Sequence, residues 1–184
     1  MAAKTTTGGL GVLLGRAARS AAGREFDLST VEGLDSERLV DGVIAAEAVS
    51  DRIALLRRAL ETLLADRDDA AIAEARMVAD VARLAETDRS VRRAEHLARA
   101  AGVSVRTLQR LFEAHVGVSP AWVIRRWRII EAADAARTGE DRGESFGGWA
   151  ALAIELGYAD QAHLVRDFRK HLGVTPGEYL GRQR

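Results

Sequence analysis

An all-α fold is expected from this 184-residue sequence on three observations. It is rich in Ala, Leu, Arg and Glu and holds only 2 prolines. No stretch sustains the apolar-polar alternation that a half-buried strand requires. Residues 101–120 read AGVSVRTLQRLFEAHVGVSP, and residues 156–176 return to nearly the same text, LGYADQAHLVRDFRKHLGVTP, each punctuated as a helix, a turn and a second helix.

The elements follow in order. Residues 1 to about 34 carry glycines and threonines with little periodicity and read as an irregular lead. From Asp35 the pattern tightens into a helix over Ser36 to about Ala46. A second helix runs from Asp51 to about Ala65, with Ile53, Leu56, Leu60 and Leu63 on one face, and a third from Ala70 to about Glu86, with Ile72, Val78, Val81 and Leu84.

The repeat then sets the second half. Leu97-Ala98 leads to Gly102, which suits a tight turn, and Ser104 can cap the next helix through its hydroxyl; Leu152-Ala153, Gly157 and Asp160 take the same parts later. Leu108, Phe112, His115, Gly117, Val118 and Pro120 recur 56 residues on as Leu164, Phe168, His171, Gly173, Val174 and Pro176. Ser119-Pro120 and Thr175-Pro176-Gly177-Glu178 each start another helix, the latter with a capping-box Glu.

A helix pair cannot bury its apolar face alone, so each copy needs a third helix. The segment from Pro120 to about Arg137 can serve both, with Val123, Trp127 and Ile130 on one face and Arg125, Arg126 and Arg128 elsewhere. Such a helix, roughly 27 Å long, can set two recognition helices about one duplex turn apart, roughly 34 Å.

Composition excludes several classes. The sequence has no Cys, which removes disulfides, thiolate zinc sites and cysteine nucleophiles. The N-terminal apolar run is too short for a membrane span and poor as a signal peptide, so a soluble, cytoplasmic protein is expected. Lys+Arg and Asp+Glu number 27 each, yet residues 1–69 hold 9 basic and 12 acidic side chains and residues 70–184 hold 18 and 15. No nucleophile elbow, phosphate loop, His-Glu metal motif or buried carboxylate pair can be placed, so no enzyme, metal or cofactor is expected.

The run LARAAGVSVRTLQRLFEAHVGVSP, the long helix with Arg128 and Ala132, and WAALAIELGYADQAHLVRDFRKHLGVTPGEYL resemble the DNA-binding domain of AraC/XylS transcription regulators over roughly residues 70–182. Gly157-Tyr158, Phe168, Gly173-Val174-Thr175-Pro176 and Tyr179 match the pattern typical of that family's second half. The resemblance implies tandem, homeodomain-like helix-turn-helix units in residues 70–184, joined by a linker helix and preceded by a small helical region within 1–69. It further implies a sequence-specific regulator that reads duplex DNA in two successive major grooves and recruits or excludes RNA polymerase.

Carried over by position, Arg106, Gln109 and Arg110 in the first copy and Gln161, His163 and Arg166 in the second fall where family members read bases. Arg can bond guanine O6 and N7 in bidentate fashion, and Gln does so with adenine N6 and N7. Ser104, Arg125, Arg169, Lys170 and Arg182 are the expected phosphate contacts, which position without reading sequence. Asp160, Asp167 and Glu113 place negative charge near that surface.

The family commonly sets a sensory domain, often a β-barrel, ahead of the DNA-binding half; residues 1–69 resemble at most the helical tail of one. A shortened regulator and one acting without its own ligand are the alternatives. Residues 36–65 are a candidate homodimer seam, and a helical protein-interaction module with weak or non-specific DNA binding is the competing function. Packing within the chain is the plainer reading of that seam.

His115 and His171 stand where helix ends expose carbonyls, so capping is favoured over metal binding. Trp122, Trp127 and Trp149 read as packing residues rather than base-stacking platforms. The stretch from Gly139 to Gly148 reads as a solvated connection, and Gly9, Gly11 and Gly15 lack the strand and spacing of a dinucleotide motif.

Overall fold

The computed structural model describes residues 4–141 and 148–181. Arg182 and most of the acidic connection before Gly148 lie outside the described residues. Those residues form α-helices joined by turns and two short 3-10 segments, so the all-α expectation holds. The helices are α1 (Gly9–Leu14), α2 (Ser36–Ala45), α3 (Val49–Ala65), α4 (Asp69–Thr87), α5 (Ala94–Ala100), α6 (Val105–His115), α7 (Pro120–Asp141), α8 (Gly148–Glu155), α9 (Gln161–Leu172) and α10 (Pro176–Gly181). The chain divides into two compact units, Met1–Ala82 with Ala98–Ser119, and Arg83–Leu97 with Pro120–Arg184.

In the first unit the lead is more ordered than its composition implies, which corrects the reading of residues 1–34 as irregular. Helix α1, GLGVLL, is short and glycine-rich, so packing rather than propensity must hold it. Val12 and Leu14 are buried, and Leu14 joins Ala21, Val31 and Leu63 in one apolar cluster. Gly8 and Gly15 bracket the helix at φ 98° and 66°, a conformation that glycine adopts without strain. Arg67, just beyond α3, donates from Nη2 to the carbonyls of Leu13 and Glu32 at 3.2 and 2.7 Å, pinning the lead at two points. No aliphatic periodicity announces such a tie, because it is made by main-chain oxygens.

Helices α2 and α3 pack on each other and α3 packs on α1. Asp35 caps α2, its carboxylate accepting from the Arg38 amide at 3.1 Å. The face proposed as a seam turns partly inward: Leu63 is buried and Leu56 and Leu60 are half-buried, whereas Ile53 is 55% exposed. Ile44 and Val49 are also exposed, at 74% and 64%.

In the second unit α9 packs on α7 and α8, and α10 closes on α7 and α9. The core combines Ile129, Ala132, Leu152, Ala153, Tyr158, Leu164 and Phe168. Trp149 and Tyr179 each meet Phe168 edge to face, with ring centroids 5.7 and 5.6 Å apart. The capping box forms as expected, with the Thr175 amide donating to Glu178 Oε2 at 2.7 Å and the Glu178 amide to Thr175 Oγ1 at 3.3 Å.

Helix α7 departs from expectation. Its buried residues include Pro120, Val123, Ile124, Ile129, Ala132 and Ala133, while Trp127 and Ile130 are only half-buried. Arg128, placed away from the apolar face by the sequence reading, is 4% exposed. Its Nη2 donates to the carbonyls of Asp88 and Val91 at 2.8 and 3.1 Å, and its Nη1 to Glu131 at 3.0 Å. Arg89 extends this network to Glu131 and Glu155. The guanidinium is inside because it satisfies the carbonyls that end α4 and the turn after it.

Candidate nucleic-acid interface

Helix α6 is aimed by its own N-terminus. Gly102 turns the chain at φ 66°, the Val103 amide donates to the Ala98 carbonyl at 3.0 Å, and Ser104 Oγ accepts from the Thr107 amide at 3.1 Å. Leu108, Leu111 and Phe112 then face inward, at 0–2% exposure. Helical spacing must therefore turn Arg106, Gln109 and Arg110 outward, and all three are exposed. Ser104 acts as the cap, so its hydroxyl is already engaged.

Acidic groups crowd the C-terminal half of this helix. Glu74 on α4 holds His115 Nε2 at 3.2 Å through one oxygen and lies 4.0 Å from Arg110 Nη2 through the other. Glu113 pairs with Arg19 at 3.2 Å. His115 is thus buried against a carboxylate rather than covering terminal carbonyls, which corrects the capping expectation for it. Neither Glu74 nor Arg19 carries a motif, and only the tertiary fold reveals them.

Helix α9 repeats the logic in the second unit. Gly157 takes φ 82°, the Tyr158 amide donates to the Ala153 carbonyl at 2.8 Å, and Asp160 accepts from the His163 amide at 2.7 Å. Asp160 is therefore committed to capping. Leu164 and Phe168 are fully buried, while Gln161, His163 and Arg166 are exposed. The His163 ring rests edge-on against Tyr158, with centroids 5.1 Å apart. Burial, reinforced by the Asp167 charge, pushes the Tyr158 phenol well above its ordinary range, so it stays neutral.

The expected anchors differ in setting. Arg125 on α7 and Arg169 and Lys170 in the last turn of α9 are exposed, and among the described residues none of them, nor Arg166, is held in an ion pair. Arg126 instead lies over the Trp122 ring at 5.5 Å. His171 Nδ1 is 2.8 Å from the Asp167 carbonyl and its ring is 5.5 Å from Trp122, so this histidine does cover a carbonyl near its helix end. Trp122 and Trp149 are half-buried packing residues, as expected.

Sequence reasoning missed Arg128 although a signal existed: it stands four residues from both Ile124 and Ala132, on the buried stripe. Among the described residues no helix is long and apolar enough to cross a membrane.

Comparison with known proteins places these helices. A helix-turn-helix domain family matches residues 97–182, from the end of α5 through α10. A putative AraC-like transcription regulator of Streptomyces antibioticus is 39% identical over 83 residues, which are 45% of this chain and 25% of that one. Its counterpart in Streptomyces lividans is 37% identical over 83 residues, with the same coverage of 45% and 25%. The HTH-type transcriptional activator RhaS of Escherichia fergusonii is 30% identical over 76 residues, 41% of this chain and 25% of that one. The chain spans about a quarter of the length of the curated relatives it matches. The helix-turn-helix domain of residues 97–182 is thus of the AraC type, similar to those of these AraC-like regulators and of RhaS.

Proposed function

We propose that the protein is a sequence-specific DNA-binding transcription regulator, with residues 70–184 as its tandem helix-turn-helix domain and α6 and α9 reading two successive major grooves. One observation carries this: both helices bury their apolar side and leave Arg106, Gln109, Arg110, Gln161, His163 and Arg166 in solvent. Arg106, Gln109 and Arg110 read one half-site, and Gln161, His163 and Arg166 the other. Arg125, Arg169, Lys170 and Arg182 anchor phosphates, with Ser104 contributing through the helix N-terminus it caps. The reading includes no catalytic step and no cofactor. It places the protein on the nucleoid in the cytoplasm, with RNA polymerase as the partner that transmits its effect.

Selection of binding sites from a randomised duplex library, followed by titration of the winner at two salt concentrations, tests the reading. Two short half-sites about ten base pairs apart are the expected result. Weak binding without an enriched motif would end the proposal.

A second reading rests on the exposed Ile44, Val49 and Ile53 of α2 and α3. Residues 36–65 then form a homodimer seam, and the chain serves chiefly as a helical interaction module with weak DNA affinity. Sedimentation of the purified chain as a monomer at micromolar concentration would remove that seam.

A further inference from the structure

The first unit contains a cavity of about 870 Å³. It opens between the lead, α1, α2, α3 and α4, and its walls include Leu10, Leu13, Val43, Leu56, Leu60 and Ile72. Small-molecule sites in proteins occupy roughly 300–1,000 Å³ and are mostly apolar with a few polar groups that orient the ligand. This cavity has that character. Its polar lining consists of Lys4, Thr5, Thr6 and Arg76, and it holds no carboxylate among the described residues.

The two cations enter the lining from the lead and from α4. The turn from Thr6 to Gly9 lies against the part of α4 that carries Arg76: a Cβ on Gly8 would be 2.8 Å from the Ala75 carbonyl oxygen and 3.3 Å from the Ala79 amide. Lys4 from the lead and Arg76 from α4 both line the cavity, and among the described residues neither is held in an ion pair. Elsewhere the walls are apolar, so a polar group buried in them would lose its hydration without finding a partner. An occupant must be apolar along its body and anionic at one end.

Helix α1 connects this cavity to α6. Leu10, Leu13 and Leu14 line the cavity, while Gly11 of the same helix lies beneath the Ala114 carbonyl of α6. A molecule filling the cavity bears on α1, and α1 bears directly on the helix that carries Arg106, Gln109 and Arg110. We propose that this cavity is an effector site for an amphipathic organic monoanion, an aliphatic body with a carboxylate or sulfate head, whose occupancy changes DNA binding through α1 and α6. The regulatory half of this statement rests on the function proposed above, while the binding half does not.

Calorimetric titration of the full chain with decanoate, decyl sulfate, decanol and decyltrimethylammonium, each below its micelle concentration, tests the binding half without DNA. Decanoate and decyl sulfate are expected to bind with one-to-one stoichiometry, and the neutral and cationic chains about fivefold or more weaker. The double variant K4Q/R76Q alters only exposed side chains and is expected to erase that preference while leaving the helical circular dichroism unchanged. Leu60→Trp, which fills the cavity, is expected to abolish binding of all four. Equal affinity for all four probes, binding that survives Leu60→Trp, or no binding with self-association of the chain instead would each overturn the site. Comparison of the two anions separates a carboxylate preference from a general one. Saturating decanoate is expected to change affinity for the selected duplex at least about threefold, a coupling of the usual allosteric size, in the wild type and not in Leu60→Trp. Ligand binding without that change overturns the regulatory half. Ligand binding with no specific DNA binding at all overturns the function proposed above and leaves the cavity assignment standing.

Discussion

Gly11 lies so close to Ala114 that a Cβ added to the glycine would sit 2.2 Å from the alanine carbonyl oxygen. The absence of a side chain is thus what lets α1 reach α6. Gly11→Ala must push the two helices apart or break α1, whose six residues have little stability of their own. The expected cost is about 1–3 kcal/mol, as for other overpacking substitutions, measured by urea denaturation. A variant as stable as the wild type would show that α1 is not held against α6 in solution.

Arg128 does a different job in the second unit. It is 4% exposed and donates to two main-chain carbonyls and to Glu131. Replacing it by Met keeps much of the apolar stem but strands the carbonyl of Val91, leaves that of Asp88 with the Val91 amide alone, and leaves Glu131 with Arg89 alone. We expect a loss of about 3–5 kcal/mol, the range for breaking a buried charged network. Arg128→Lys should recover less than half of it, because an ammonium cannot reproduce the guanidinium fork. Thermal melts of the three proteins decide the matter, and full rescue by Lys would reduce the residue to a point charge.

The two N-caps offer a matched pair. Ser104 and Asp160 each accept from the amide three residues on, at 3.1 and 2.7 Å. Ser104→Ala and Asp160→Ala should each destabilise by about 0.5–2 kcal/mol. Removing Asp160 also deletes a negative charge from the start of α9, so non-specific DNA binding should strengthen as stability falls. Ser104→Ala has no such charge effect, and parallel behaviour of the two variants on DNA would argue against α9 facing the duplex.

These residues also mark what the sequence makes legible. Caps, turn glycines and the inward Leu and Phe positions of α6 and α9 are local properties, written in residue type and spacing. The family resemblance adds the candidate base-reading residues, and the structure leaves all six exposed. What escapes the sequence is contact between distant segments. Nothing at Gly11 announces Ala114, nothing at Arg67 announces the carbonyls of Leu13 and Glu32, and the pairing of Glu74 with His115 spans 41 residues. The cavity in the first unit is invisible for the same reason, since its walls come from five segments whose leucines look like ordinary core residues.

Base and phosphate contacts separate by specificity. Arg110→Ala and Arg166→Ala should each cost about 1–3 kcal/mol at the selected site and relax preference at one base pair. The Arg110 effect is expected to be the smaller, because Glu74 lies 4.0 Å from its guanidinium and must give it up on binding. Arg125→Ala should weaken specific and random duplexes alike and reduce the salt slope by about one unit. Fluorescence anisotropy at several salt concentrations distinguishes these outcomes, and a loss confined to the selected site would move Arg125 from anchor to reader.

Tyr158 supplies the pH test. Its phenol is buried, its hydroxyl meets no hydrogen-bond partner among the described residues, and burial raises its pKa above the ordinary value of about 10. Below pH about 10 the folded and unfolded chains are both neutral here, so the group's contribution is fully present. Above it the unfolded phenol ionises while the folded one does not. Stability then falls by up to about 1.4 kcal/mol per pH unit until the folded pKa is passed. Tyr158→Phe removes this dependence. At pH 7 it should lie within about 1 kcal/mol of the wild type, since no hydrogen bond is lost. At pH 11 it should be the more stable protein relative to that baseline by about 1 kcal/mol. Urea denaturation of both proteins at the two pH values gives the difference directly, with other titrating groups cancelling between them. An unchanged difference would mean that the phenol ionises as readily in the folded chain as in the unfolded one, and that the core around Phe168 and Leu164 admits water.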